Sequence, residues 1–235
     1  MAGPLKIFDT ETAKATRKQQ DFSGDVVGRF RSGYQVDNRP QSLGAWRVTT
    51  GDPEVAARVH ELFGGDSPQE WDAKGEDILE VFTAAAEVDV ILEGASAIRQ
   101  RMVLRNMNGE VIRAGDGETL DYPEEVAGQP DPQAGQSFAE RKEAARVGIG
   151  AKPETDIFFR LAADPDLGKF RFHSGSWSLA GDLNYYGVHE DLAEADGPLR
   201  AALGLVEESF IAKNGPRKGK RVSFTKPVLT IKGRA

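Results

Sequence analysis

Asn108 and Gly109 stand between two apolar runs in RMVLRNMNGEVIRAG. An Asn-Gly pair readily takes the positive φ angles of a two-residue turn, so the flanking runs are expected to fold back on each other as a β-hairpin. A tight hairpin commits its two strands to antiparallel pairing. Other segments carry the same alternating or β-branched pattern. They are VVGRFRSG (Val26 to Gly33), AWRVTT (Ala45 to Thr50), VDVILE (Val88 to Glu93), DIFFRLA (Asp156 to Ala162) and GKFRFHS (Gly168 to Ser174). GLVEESFIAK and RVSFTKPVLTIK read as a further strand pair connected by NGPRKGK.

Helices are fewer and short. In TTGDPEVAARVHELFGG, Asp52 is placed to cap a helix with Pro53 at its first position, and Gly64 and Gly65 to end it. Val55, Val59, Leu62 and Phe63 share one face. SPQE, with Ser67 and Glu70 at capping-box spacing, reads as a second helix start, and SFAERKEAARVG, with Ser137 and Glu140, as a third. The mixture predicts an α+β fold with mainly antiparallel sheet and a few short helices.

A chain of 235 residues with 39% hydrophobic side chains can bury a real core. No apolar run reaches the ~18 residues a membrane helix needs. The first twenty residues have no apolar stretch of the kind that marks a secretory signal. The segment Asp121 to Ser137, DYPEEVAGQPDPQAGQS, is rich in Pro, Gly and Gln and reads as an exposed linker or long loop. The chain is therefore expected to be one domain over 1–235, with a possible division into lobes 1–120 and 138–235 at the linker 121–137. Cysteine is absent, which excludes disulfides, thiolate zinc sites and a cysteine nucleophile, and fits a reducing cytoplasm.

Charge is distributed unevenly. Lys213 to Ala235 holds 8 basic residues and no acidic one, while the rest of the chain carries 22 basic against 37 acidic side chains, a balance of −15. A net charge of −7 disfavours a general DNA coat, which needs a positive surface to neutralise phosphates. Strong independent DNA binding is not expected. Arg217, Lys218, Lys220 and Arg221, at the tip of the last hairpin, are candidates for an auxiliary contact to DNA or to an acidic partner. Alternatively they only keep an exposed turn solvated.

Motifs for chemistry are weak. His60, His173 and His189 share no metal-ligand spacing. DPDLG (Asp164 to Gly168) begins like a calcium loop, but its twelfth position is Gly175 rather than Glu, so a hairpin turn is the better reading. GIG at Gly148 to Gly150 lacks a third glycine and a preceding strand, and neither a GxxxxGK[ST] phosphate loop nor a GxSxG elbow is present. Asp131, Glu140 and Lys142 follow the order of a metal-dependent nuclease, two carboxylates and a lysine. Their context, a linker and a capping box, is wrong for a rigid metal site. No catalytic, cofactor or metal residue is therefore assigned. Trp177, Tyr185 and Tyr186, in the aromatic stretch that follows Phe170 and Phe172, are candidate partner-binding residues, since Trp and Tyr are favoured interface anchors.

KIFDT near the start, DVVGRFRSGYQV (Asp25 to Val36), RPQSLGAWRVTTGDPEVA (Arg39 to Ala56) and FRLAADPDLGKFRFHSGSWSLA (Phe159 to Ala180) resemble the actinophage recombination directionality factors. Those proteins are accessory factors of large serine integrases. The resemblance runs from about Lys6 to the helix that begins near Trp177. It implies a regulator rather than an enzyme, without cofactor. Such a factor binds the integrase on attachment-site DNA, activates recombination of the hybrid sites, releases the prophage and inhibits integration. It would work in the bacterial cytoplasm, at the nucleoid with the integrase. Two other readings stand beside it: a DNA-binding architectural protein acting through the C-terminal basic hairpin, and a metal-dependent nuclease.

Overall fold

Strands dominate the chain. In the computed structural model, which describes residues 4–8, 26–36, 39–73, 75–212 and 218–235, the first stretch runs β1 (Val26–Val36), β2 (Arg39–Thr50), α1 (Pro53–Phe63), β3 (Gln69–Glu70), β4 (Leu79–Phe82) and β5 (Glu87–Leu92). Next come β6 (Ile98–Arg105), β7 (Val111–Gly115), β8 (Leu120–Tyr122) and α2 (Phe138–Arg146). The chain continues with β9 (Lys152–Leu161), β10 (Lys169–Ser174), α3 (Trp177–Tyr185), α4 (Val188–Glu194), β11 (Leu199–Ile211) and β12 (Arg221–Arg234). This is an α+β fold with a mixed, mostly antiparallel sheet, in which β1 pairs with β10 in parallel.

The chain divides into two compact units that interleave in sequence. One comprises Met1–Asp21, Glu93–Ile157 and His173–Asp196, the other Phe22–Leu92, Phe158–Phe172 and Gly197–Ala235. Strand β9 contributes to both. Its residues up to Ile157 pair with β6, and Arg160 and Leu161 pair with β5.

The second unit is built on a sheet in the order β12-β11-β5-β9-β10-β1-β2-β4-β3. Alternation sends Phe30, Val48 and Val81 to one face, where they are at most 2% exposed. An aromatic group fills this core. Phe30 meets Trp46, Phe159 and Phe170 at centroid distances of 5.6, 5.2 and 5.6 Å, all edge-on, and Trp46 meets Phe172 at 5.1 Å. Each such pair adds about 0.5–1.5 kcal/mol beyond area burial. Helix α1 forms as expected. Asp52 accepts from the Glu54 amide at 2.8 Å, and Val55, Ala56 and Val59 are buried. Gly64 and Gly65 end it at φ 63° and 91°. A Cβ on Gly65 would collide with the Phe82 carbonyl, so only glycine fits that turn.

The first unit packs β6 between β9 and β7, with β8 beyond β7. Its apolar centre joins Leu5, Met102, Ala151 and Ala180, flanked by Ile7, Phe8, Leu104 and Trp177. The Lys6 amide donates to the Asp116 carbonyl at 2.8 Å, which fixes the segment that carries Leu5 and Ile7. Helix α2 has the expected capping box between Ser137 and Glu140.

Three local expectations change. SPQE does not start a helix: Gln69 and Glu70 pair with Glu80 and Leu79 as a short edge strand. The following Trp71 is drawn back by a 2.6 Å bond from its indole N–H to the Asp77 carbonyl, so a costly helical nucleus has no room to propagate. The Asn108–Gly109 hairpin exists, but its loop is not a two-residue turn. Arg105 pairs with Val111, and the Asn106 side chain accepts from the amides of Asn108 and Glu110 at 2.9 and 3.0 Å. That side-chain turn outcompetes the tighter one, and Gly109 takes a positive φ, 85°. The segment 121–137 proves to be a long loop within the first unit, with two buried anchors. Asp131 and Gln133 are 3% and 6% exposed, and Thr119 bridges to Pro130. Hydrogen bonds rather than apolar side chains pin it, so its composition concealed the attachment.

Candidate partner-binding surfaces

Helix α3 begins at a Ser176 cap, whose hydroxyl accepts from the Leu179 amide at 3.2 Å. It buries Leu179, Ala180 and Leu183 against the first unit. Gly187, at φ 64°, turns the chain into α4, which buries Val188, His189 and Leu192. The corner between the helices leaves Tyr185 and Tyr186 outside. They are 81% and 65% exposed, with rings 5.0 Å apart and nearly perpendicular. The surrounding sequence, from Phe172 to Leu199, contains Asp182, Glu190, Asp191, Glu194 and Asp196 and no Lys or Arg. The corner is thus an aromatic pair carried by an acidic stretch of sequence. Trp177 is not part of it. Its ring is half-buried against the unit's centre and meets Phe138 edge-on at 5.2 Å, and Phe138 meets Phe8 at 5.7 Å. Trp177 anchors the helix, and Tyr185 and Tyr186 face outward.

Below the corner, His189 Nε2 donates to the Gln100 amide oxygen at 2.9 Å, and Gln100 in turn donates to Thr155 at 3.2 Å. Burial pushes the His189 pKa down to about 4, so the ring is neutral at physiological pH. Since Gln100 Oε1 can only accept, the neutral ring carries its proton on Nε2. His173 lies against Asp156 at 2.8 Å on an exposed strand end, and His60 sits half-buried on α1. Among the described residues no group of His, Asp and Glu is placed to hold a metal ion.

The nuclease triad dissolves into structural roles. Asp131 accepts from the Gln133 amide at 2.7 Å and lies 3.9 Å from Arg113. Glu140 accepts from the Ser137 amide and hydroxyl at 2.8 and 2.7 Å, and Lys142 lies over the Phe138 ring at 5.9 Å. DPDLG is likewise a connection between β9 and β10, with Asp164 ion-paired to Arg58 at 2.6 Å.

The second surface is the β11–β12 ribbon. Strand β5 pairs with β11 only from Leu199 to Gly204, and β11 and β12 continue as a pair from Leu205–Pro227 to Ile211–Arg221. Directly opposed residues share a face, so the register sorts the outer part. Val206, Phe210, Val222 and Phe224 fall on one side with Glu208 and Lys226. Glu207, Ser209, Ser223 and Thr225 fall on the other. Val206, Phe210 and Phe224 are 46%, 51% and 39% exposed, and the two Phe rings meet at 6.1 Å. Lys226 pairs with Glu208 at 2.7 Å on the same side. At the tip Lys218, Lys220 and Arg221 are exposed, and the Ala212 amide closes the turn on the Lys220 carbonyl at 3.0 Å. Arg217 lies outside the described residues.

The sequence placed the basic tip and missed the apolar side. The missing signal was register. VEESF has no clean alternation of its own, and only pairing with RVSFTK puts Phe210 and Phe224 on one face. No helix among the described residues is long and apolar enough to cross a membrane.

A family model described as Gp3-like, recombination directionality factor-like, matches residues 27–231. The match spans well over half of the chain and reaches every strand of the second unit, so the chain belongs to this family of recombination directionality factor-like proteins. Its role lies in the regulation of phage recombination. No solved structure matches the chain.

Proposed function

We propose that this member of the family is a phage recombination directionality factor that binds a large serine integrase and switches it from integration to prophage excision. It activates recombination of the hybrid sites and inhibits integration, and the serine nucleophile that cuts DNA belongs to the integrase. The observation that carries this reading is the family match over residues 27–231. The factor acts in the cytoplasm of the bacterial host, at the nucleoid, on integrase already bound to attachment-site DNA.

The physical requirement is differential affinity. A bound factor shifts the balance between two synaptic arrangements only if it binds one of them better. Reversing a preference from 1:99 to 99:1 takes about 5.5 kcal/mol. Shared over four integrase protomers, that is about 1.4 kcal/mol each, an ordinary coupling energy. The α3–α4 corner supports such a contact. Tyr185 and Tyr186 supply rigid aromatic area, and the acidic stretch of sequence that carries them would complement a basic, DNA-binding surface on the integrase. The β11–β12 ribbon adds an auxiliary contact through Lys218, Lys220 and Arg221.

The test is an electrophoretic shift combined with a recombination assay. The factor is expected to supershift integrase–DNA complexes, leave naked DNA unshifted, stimulate hybrid-site recombination and suppress integration. Strong, salt-sensitive binding to naked DNA without integrase would transfer the function to the architectural reading.

A further inference from the structure

The outer part of the β11–β12 ribbon is a two-stranded sheet with one apolar side. Leu205 and Pro227 are still buried, and the Leu205 amide donates to the Ala86 carbonyl at 2.8 Å. Beyond them, among the described residues, no third strand pairs with either edge of the ribbon. A lone two-stranded hairpin is marginal in water, and it gains stability from a third strand or from a helix laid on its apolar face. That face consists of three cross-strand rows: Val206 with Lys226, Glu208 with Phe224, and Phe210 with Val222. Its two charges cancel, because Glu208 and Lys226 are ion-paired at 2.7 Å. The apolar side chains are grouped and partly exposed, the pattern of an interaction surface.

The tip carries unmatched charge. Lys218, Lys220 and Arg221 are exposed, and among the described residues no carboxylate lies within ion-pairing distance of them. The sequence holds no acid from Lys213 to Ala235. The ribbon's own acids are Glu208, held by Lys226, and Glu207, on the opposite side. The surface therefore asks for an apolar stripe that continues into negative charge.

DNA supplies the charge but not the stripe. Val and Phe offer no hydrogen bond to base edges, and a chain of net charge −7 gains little from a few phosphate contacts. A second copy of the chain also fits poorly. Laid tip to tip it sets like charges together, and laid end for end it sets Glu208 against Glu208 in the middle row. A helix fits the dimensions. Val206 to Ile211 runs about 20 Å, the length of about 13 helical residues. A helix about 10 Å across covers two strands about 4.8 Å apart.

We propose that the apolar side of this ribbon seats an amphipathic α-helix of a protein partner. The helix lays its apolar stripe on Val206, Phe210, Val222 and Phe224, and an acidic end turn on Lys218, Lys220 and Arg221. The inference is independent of the integrase reading. Its test uses no recombinase, so either can fail alone.

The full-length chain is immobilised, and a randomised library of peptides about 14 residues long is selected on it. Enriched peptides are expected to carry apolar residues at i, i+3 or i+4, and i+7, with Asp or Glu clustered in one end turn. Phe210→Ser with Phe224→Ser is expected to weaken their binding at least about tenfold. Lys218→Glu with Lys220→Glu is expected to weaken it at low salt, by a factor that shrinks as salt rises. Ser209→Asn with Ser223→Asn, on the opposite side of the same strands, is expected to leave binding unchanged. Selection without the helical spacing or without the acidic turn overturns the proposal. So do equal losses in the two opposite-side variants, which would report the ribbon's folding rather than its apolar face. Binding of a labelled DNA duplex that depends on Phe210 and Phe224, with no peptide enriched, also overturns it and assigns the face to nucleic acid. Self-association abolished by the same pair of changes, again with no peptide enriched, overturns it in favour of a second copy.

Discussion

Acidification is expected to loosen the helix corner through one side chain. His189 is 7% exposed on α4, and its pKa is pushed down to about 4 from an unperturbed value near 6.5. At neutral pH the ring is uncharged in both the folded and the unfolded chain, so it adds no pH dependence. As pH falls through 6.5, the unfolded chain takes up a proton and the folded one does not until about pH 4. Stability is therefore lost between those values. The full loss is about 3 kcal/mol, from about 1.4 kcal/mol per pKa unit. By pH 5 about 2 kcal/mol of it is gone. The assay is urea unfolding followed by far-ultraviolet circular dichroism at pH 7.5 and 5.0, for the unaltered chain and His189→Gln. Glutamine can still donate to Gln100 and does not titrate. The comparison cancels the carboxylates that also respond to acid. The unaltered chain is expected to lose about 2 kcal/mol more than the variant. Equal losses in the two proteins would refute the reasoning, since His189 would then be protonated without penalty in the fold.

Arg141→Met is expected to cost about 3 kcal/mol of unfolding free energy in the same assay. Arg141 is 2% exposed, donates to the carbonyls of Gly117 and Gln136 at 2.8 and 3.2 Å, and faces Asp131, so its removal strands buried acceptors. Tyr185→Ser with Tyr186→Ser is expected to weaken integrase binding by about 2 kcal/mol or more, measured by calorimetry, with the urea midpoint unchanged because both rings lie outside the core. Lys218→Glu with Lys220→Glu is expected to leave binding to free integrase intact while stimulation of excision falls. If neither changes, the segment is only a solvated turn.

Much of the fold was legible because the punctuation was local. Asp52, Pro53 and Gly64 bracket α1, and Ser137 with Glu140 opens α2, since each signal acts within one helical turn. The strands with clean alternation, such as those of Phe159 with Leu161 and Phe170 with Phe172, were also legible. What was hidden depends on partners distant in sequence. Gln69 and Glu70 become a strand only because Leu79 and Glu80 lie beside them. Asp131 is buried because Glu118 and Arg113 receive it. Arg29, Arg31 and Arg47 were visible one at a time as polar strand residues, and their juxtaposition across β1 and β2 exists only in the register. Residue type alone grouped Trp177 with Tyr185 and Tyr186 as candidate partner-binding residues, whereas packing separates them: the Trp177 ring is half-buried against Phe138 and the two tyrosines are exposed.

The two surfaces differ in how they would respond to salt, and that difference bears on the basic end of the chain. Lys218, Lys220 and Arg221 stand at a solvated tip, where a contact to phosphate or to an acidic partner is screened over about 10 Å at 0.1 M salt. The tyrosine pair contributes desolvated area, which salt weakens little. If the corner carries affinity and the tip only biases which synapse forms, raising salt should reduce excision stimulation before it reduces integrase binding. A regulator that used the tip for affinity would lose both together. The chain's balance of −15 outside its last 23 residues favours the first arrangement, because a net negative charge disfavours holding a polyanion such as DNA through the rest of the chain.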